Sequence, residues 1–309
     1  MQIYFIEQRF NSMNIKKWLD NNTDTLKEQC VAITGATGGI GKELCLYLAK
    51  LGANLILMDR NFERSHDFGE KLRLKYGVDV KYITVDLSDF KSVRSATEQL
   101  TDKNPDIFIH NAGAYSIPRY ITDIGYDNVF QINFISPYYI ISKILPLISK
   151  KKGKIVVVGS IAHNYSKADI KDIDFRNRKK ASLVYGNAKR YLMFSLYELF
   201  VREHEDLLSI THPGITFTNI TAHYPKLIFA IIKHPMKIIF MNPKIACLSI
   251  LKGVFDSCKY CECIGPRFFG IWGKPSKKTL KTCDKTEREF IGKTAEEIYN
   301  ELKERTFKK

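Results

Sequence analysis

Tyr185 and Lys189 stand four residues apart in Tyr185-Gly186-Asn187-Ala188-Lys189, which opens an apolar helical run to Val201. That spacing puts both side chains on one helical face, close enough for the ammonium to act on the phenol. A free tyrosine titrates near ~10 and is a poor base at neutral pH, so a neighbouring cation that favours the phenolate is what proton transfer there needs. The expectation is a lowered Tyr185 pKa, and a fall of about three units corresponds to roughly 4 kcal/mol. Ser160 follows a plain buried strand, Lys154 to Gly159. Asn133 lies inside Tyr120 to Leu147, which reads as helical and largely apolar; a buried amide is costly unless paired, so an inter-helix hydrogen bond is one reading of it.

These groups need elements to hold them. Cys30 to Thr34 is a short β-branched strand that stops at Gly35-Ala36-Thr37-Gly38-Gly39-Ile40-Gly41, where a helix-period pattern of leucines begins. In a strand, tight turn and helix of this kind, Gly35 supplies the turn, Gly39 lets backbone amides approach a diphosphate, and Gly41 lets the helix start pack on the strand. A second strand, Asn54 to Met58, ends at Asp59-Arg60. An acid in that place binds the ribose hydroxyls of NAD, whereas an arginine favours a 2′-phosphate. Both signs are present; the carboxylate would repel a phosphate on the same hydroxyl, so NAD is the expected cofactor and NADP the alternative. Strand Val80 to Val85 leads to Asp86-Leu87, where Asp86 also reads as an N-cap for a helix beginning near Phe90. Strand Ile107 to His110 runs into Asn111-Ala112-Gly113, small residues that let the chain pass close under a ligand, with an Asn able to tie neighbouring strands together.

The ordered combination of Thr34-Gly35-x-x-x-Gly39-Ile40-Gly41, Asn111-Ala112-Gly113, Asn133, Ser160 and Tyr185-x-x-x-Lys189 resembles the short-chain dehydrogenase/reductase superfamily from about Lys27 to Gly273. His110 replaces the first Asn of the family's Asn-Asn-Ala-Gly element. The resemblance implies a single doubly wound α/β domain of Rossmann type, with a mostly parallel sheet flanked by helices. It also implies an NAD(P)-dependent oxidoreductase interconverting an alcohol and its carbonyl. Tyr185 would be the general acid and base, Ser160 would hold the substrate oxygen, Lys189 would lower the tyrosine pKa and hold the nicotinamide ribose, and Asn133 would complete a proton relay through water. The cofactor set it implies is Thr34, Gly35, Thr37, Gly39, Ile40, Gly41, Asp59, Arg60, Asp86 beside the adenine with Leu87, Asn111, Ala112, Gly113, Tyr185, Lys189, the turn Pro213-Gly214, and Thr218. The long gap between Ser160 and Tyr185, with Gly265-Pro266 and Trp272-Gly273-Lys274-Pro275, is most similar to the retinol dehydrogenase-like branch. Packing of the helices around Tyr120 to Leu147 and Tyr185 to Val201 into a homodimer or homotetramer is also implied.

The 309 residues are 45% hydrophobic and 26% charged, ordinary for a globular chain long enough to bury a full core. A formal net charge of +15 favours anionic partners, but the basic residues are scattered and form no recognisable nucleic-acid module, so nucleic acid is not expected. Seven cysteines, an odd number, and no secretory segment give a reduced cytoplasmic location by default. No window of about 18 uncharged apolar residues suggests a spanning helix. Residues 1–26 read as an N-terminal extension with a short helix from Ile15 to Asn22, and 27–309 as the catalytic domain. Within it, 222–242 is an apolar segment interrupted by Lys233, His234, Pro235 and Lys237, read as a lid over a small apolar alcohol or carbonyl, as peripheral contact with a membrane, or as an ordinary buried helix pair. Cys258, Cys261, Cys263 and Cys283 have irregular spacing and no metal site is assigned to them. His212 reads as a strand-end residue, not a ligand. Residues 286–303 close the chain as an amphipathic helix. A nucleotide-binding scaffold without turnover, sensing redox state or lying on a membrane, is the competing class.

Overall fold

The computed structural model describes residues 14–200, 204–215, 241–280, 282 and 284–305. Strands β1 (Cys30–Thr34), β2 (Asn54–Asp59), β3 (Val80–Thr84), β4 (Ile107–His110), β5 (Lys154–Val158), β6 (Leu208–Thr211), β7 (Glu262–Phe268) and β8 (Trp272–Thr279) form one sheet in the order 3-2-1-4-5-6-7-8. All neighbours are parallel except β7 and β8, which form an antiparallel edge hairpin. The fold expectation is met: a doubly wound, mostly parallel α/β sheet.

Period-two alternation divides the core into two layers. Ala32, Ile56, Met58, Phe108, Ile155 and Val157 face one side, where α4 (Phe90–Lys103), α5 (Ser136–Lys150), α6 (Ala181–Phe200) and α8 (Lys285–Glu304) pack. Val31, Ile33, Leu55, Leu57, Ile109 and Val156 face the other, under α1 (Ile15–Asn22), α2 (Gly39–Lys50), α3 (Phe62–Tyr76) and α7 (Pro243–Phe255). The short α1 buries Trp18 and Leu19 in that second layer. The closing helix α8 brackets the expected span and buries Ile291, Ala295, Ile298 and Leu302.

The run from Tyr120 to Leu147 is not helical throughout. Residues 120–127 fold back on themselves, with a bridge between Ile121 and Asp127 and Gly125 at a φ of 86°, a left-handed conformation that ends any helix. The helix starts at Asn128 behind the Asp127 cap and passes through a π-turn, Gln131–Ile135, before α5. The combined run Asn128–Lys150 has the length and mean hydropathy to cross a membrane, but Lys143 interrupts it and most of it is buried in the first core layer.

The expected lid, 222–242, falls almost wholly outside the described residues, as do Thr218 and Cys283; only Met241 and Asn242 at its end are described. Among the described residues no group of His, Cys, Asp or Glu could hold a metal. Cys258 donates its thiol to the Ile210 carbonyl, and Cys261 lies beside Arg288.

Candidate active site

The strand order reverses between β1 and β4, opening a crevice beyond their carboxyl ends. Thr34, Gly35 and Asn111-Ala112-Gly113 meet there. The Thr34 hydroxyl accepts from the amides of Asn111 (3.0 Å) and Ala112 (3.1 Å), and Asn111 Nδ2 donates to the carbonyls of Thr34 (3.1 Å) and Gly35 (3.0 Å). Asn111 thus ties β1 to β4, as its residue type suggested. Gly35 has a φ of 68°, and a Cβ on Gly41 would stand 2.1 Å from the Gly35 carbonyl oxygen. The two chain segments touch only because both positions lack side chains.

The first turn of α2 starts at exposed Gly39, with Gly38 as its cap and no side chain bonded to its free amides. A helix N-terminus open in this way, preceded by a glycine turn, fits a diphosphate without displacing any protein group. At the end of β2, Asp59 Oδ1 accepts from the Thr37 amide (3.3 Å) and hydroxyl (3.1 Å), and Ser65 donates to Oδ2 (3.4 Å). Burial raises the Asp59 pKa while these bonds, and the charge of Arg64, pull it back. Arg60 is exposed, and Arg64 donates to the Thr37 carbonyl (2.9 Å). Asp86 does not cap α4. Its Oδ1 accepts from the amide and hydroxyl of Ser88, and Asp89 is the cap, bonding the amides of Lys91 and Ser92. Leu87 is buried, and its carbonyl accepts from Gln131 and Ser136. Pro213 and Gly214 follow β6, and Gly214, at a φ of 76°, packs on the β7–β8 hairpin.

The four chemical side chains converge at the same end of the sheet. Asn133, in the π-turn, donates Nδ2 to the carbonyls of Ala114 (2.8 Å) and Val129 (2.9 Å) and accepts from the Ala114 amide (3.2 Å). It therefore pairs with the loop after β4, not with a second helix. A Cβ on Gly113 would meet Asn133 Oδ1 at 2.8 Å and Lys189 Nζ at 3.6 Å, so Asn133, Gly113 and Lys189 are immediate neighbours. Lys189 is 1% exposed, donates to the Val158 carbonyl (2.8 Å), and lies 5.8 Å from the centre of the Tyr185 ring. Tyr185 is partly buried and packs edge-on against Tyr115. Ser160, two residues beyond β5, accepts from the Ala162 amide and hydrogen-bonds the Tyr185 hydroxyl.

The lowered phenol pKa expected from Lys189 together with a positive nicotinamide is not what Lys189 alone provides. Burial pushes the Tyr185 phenol up to about 12, and the hydrogen bond from Ser160 is the single lowering influence. The reason lies in Lys189, whose own pKa burial pushes down to about 7. Its ammonium is spent on a backbone carbonyl and is only partly charged at neutral pH, so it gives the phenol little help.

His110, at the end of β4, is the residue whose importance the sequence showed only as a departure. It is fully buried, and burial with the nearby Lys189 charge drives its pKa well down. Thr34 already accepts two amide bonds, so its hydroxyl proton goes to His110 Nδ1 (3.1 Å). The proton then sits on Nε2, which has no partner.

The family model for short chain dehydrogenases matches residues 29–170. Human retinol dehydrogenase 13 is 27% identical over 208 residues, a match spanning 64% of this chain and 62% of that protein's length. An uncharacterized protein from Mycobacterium paratuberculosis has a similar structure, with a TM-score of 0.69 at 21% identity over 94% of this chain and 98% of the other. The alcohol dehydrogenase of Thermococcus sibiricus, complexed with 5-hydroxy-NADP, aligns over 71% of this chain and 87% of its own with a TM-score of 0.54 at 21% identity. With the glycine turn, the Asn111 tie and the Tyr185/Lys189 pair in one crevice, the chain is similar to the short chain dehydrogenases over residues 29–170.

Proposed function

We propose that the chain is an NAD(P)-dependent oxidoreductase interconverting an alcohol and its carbonyl, with Tyr185 as the proton-transferring group. The observation that carries this reading is the convergence of Ser160, Tyr185, Lys189 and Asn133 on one crevice mouth, beside a helix N-terminus with free amides. A bound nicotinamide dinucleotide supplies the hydride in reduction and accepts it in oxidation. Gly35, Gly39, Ile40 and Gly41 would cradle its diphosphate, Asp59 its ribose hydroxyls, and Asp86 with Leu87 its adenine, while Asn111 to Gly113 and Pro213-Gly214 would line the remainder. The Asp59 carboxylate at the strand end supports the unphosphorylated cofactor.

In the reducing direction Ser160 Oγ holds the carbonyl oxygen still, and the Tyr185 hydroxyl gives it a proton as negative charge develops. A phenol held near 12 keeps that proton at neutral pH, so the enzyme rests loaded as a general acid. Lys189, partly neutral and fixed at Val158, can return a proton toward Tyr185, with Asn133 and Gly113 shaping the space around Nζ. The substrate class favoured is a small molecule with an apolar body, supported by the Tyr115, Tyr185, Ile117, Leu183 and Phe175 side chains that cluster beside the site.

The test is oxidation of NADH and NADPH by the purified protein, followed by absorbance over a panel of aldehydes and ketones, with fluorescence titration of both nucleotides. Turnover of at least one carbonyl is expected, with NADH bound more tightly than NADPH. Tight nucleotide binding with no turnover in either direction on any carbonyl or alcohol overturns the reading and favours a scaffold.

A further inference from the structure

Next to Ser160 lies a cavity of about 330 Å³ bounded by the start of the loop after β5, the end of β6 and the β7–β8 hairpin. That is at the small end of the range for ligand pockets. Among the described residues three basic side chains reach its wall, His163, His212 and Lys278, and no acidic one does. Ile161, Met193 and Leu280 supply apolar wall between them.

The basic groups are placed as a set. His163 Nδ1 donates to the Ser160 carbonyl (2.6 Å), which leaves Nε2 facing the Thr282 hydroxyl at 3.3 Å. His212 is 6% exposed, and its Nδ1 is buried with no hydrogen-bond partner. Its ring stands where Gly265 has no side chain; a Cβ there would lie 2.0 Å from Nε2. Lys278 donates to the Pro266 carbonyl (2.9 Å), and two of its three protons remain. Behind this wall Arg190 bonds the carbonyls of His163 (2.9 Å) and Thr282 (3.0 Å), its own charge answered by Glu287. Burial pushes His212 down to about 3 and lowers His163. The charges of Lys278 and His163 act in the same direction on His212, as Arg190 does on His163. Lys278 is the cation on a wall whose two imidazoles are neutral, and with no described acidic residue beside it an anion from outside would answer its charge, while the orphaned His212 Nδ1 marks an unmade hydrogen bond.

We propose that this cavity receives a carboxylate on the substrate itself, so that the molecule reduced or oxidised beside Tyr185 is an oxo or hydroxy acid with an apolar body. The proposal rests on the oxidoreductase reading above and narrows it. Ser160 is the shared wall: it hydrogen-bonds the Tyr185 hydroxyl and also lines the cavity together with Ile161, Met193, Lys278 and His212.

The test has two arms. In the first, a short series of ω-oxo carboxylates and their methyl esters is compared by kcat/KM in the wild type and in Lys278→Met. The acid is expected to exceed its ester by about tenfold or more, and the variant to lower that acid-to-ester ratio by about tenfold, mostly through KM, as befits loss of a charge-assisted bond. Equal rates on acid and ester, or a ratio unmoved by the substitution, overturn the proposal. The second arm needs neither turnover nor a variant: the His212 and His163 imidazoles of the wild type are titrated by NMR with and without succinate, a non-reacting dicarboxylate, and with phosphate in parallel. An upward shift of the His212 pKa by about one unit or more with succinate supports the proposal. No shift with succinate, or an equal shift with phosphate, which marks a general anion site, overturns it. If no carbonyl is turned over at all, the oxidoreductase reading fails in the first arm while the second still decides the carboxylate site.

Discussion

Replacing Lys189 by Met should make the folded protein more stable at neutral pH while removing its chemistry. Lys189 is 1% exposed and has no carboxylate partner among the described residues; burial alone brings its pKa from the ordinary 10.5 to about 7. Between those values the unfolded chain binds the proton more tightly than the folded one, so wild-type stability rises with pH through that window. At pH 7 the depressed pKa costs the folded state about 4 kcal/mol. Met has nearly the same length and no such cost, but it leaves the Val158 carbonyl without its 2.8 Å donor, a loss of about 1–3 kcal/mol. The net expectation is a variant more stable than wild type by about 1–3 kcal/mol at pH 7. At the pH where a free lysine is half-neutral, the burial cost has fallen below about 0.5 kcal/mol, so only the lost bond remains and the order reverses. Urea unfolding of both proteins at neutral and at alkaline pH measures this directly, since groups titrating in common cancel in the difference. A variant less stable at both values, or a difference that does not change with pH, would refute the buried, counter-ion-free lysine on which the proton path depends.

Two further expectations concern the cofactor cleft. Gly41→Ala forces a methyl group to within 2.1 Å of the Gly35 carbonyl and 2.8 Å of Asn111 Nδ2, so the glycine turn must open. Nucleotide affinity should fall at least about tenfold, with about 1–3 kcal/mol of stability lost, read by fluorescence titration and urea melts. Gly77→Ala, at a left-handed position with nothing within 4 Å of the new Cβ, is the control and should lose stability alone. Asp59→Ser removes the carboxylate that a 2′-phosphate would meet, so the kcat/KM ratio of NADPH to NADH should rise about tenfold or more; an unchanged ratio would remove Asp59 from cofactor choice.

The glycine turn, the strands and the Tyr185/Lys189 spacing were legible because each is set by neighbours in sequence: β-branched runs, a glycine break, a helical period. Asn111 was legible for the same reason, and its ties to Thr34 and Gly35 are as expected. The π-turn around Asn133 was not, since its apolar pattern is that of an ordinary helix and only the bonds to Ala114 distinguish it. The hairpin-like fold-back at 120–127 was missed because Gly125 was outweighed by the apolar residues around it. The electrostatics lay furthest from view. Lys189 with a bound nicotinamide beside Tyr185 suggested an acidic phenol, yet burial acts on both side chains, and the Val158 carbonyl, remote in sequence, accepts the lysine's hydrogen bond. The basic cavity joins His163, His212 and Lys278 from three separate elements, and no spacing rule connects them.

The central claim is that the hydroxyl of Tyr185 is the atom that exchanges a proton with substrate oxygen. It is tested most directly by Tyr185→Phe, with kcat measured on a carbonyl the wild type reduces and nucleotide affinity measured on the same preparation. The account predicts turnover reduced at least ~100-fold with nucleotide affinity changed by less than about threefold. Turnover close to wild type in the variant would contradict it.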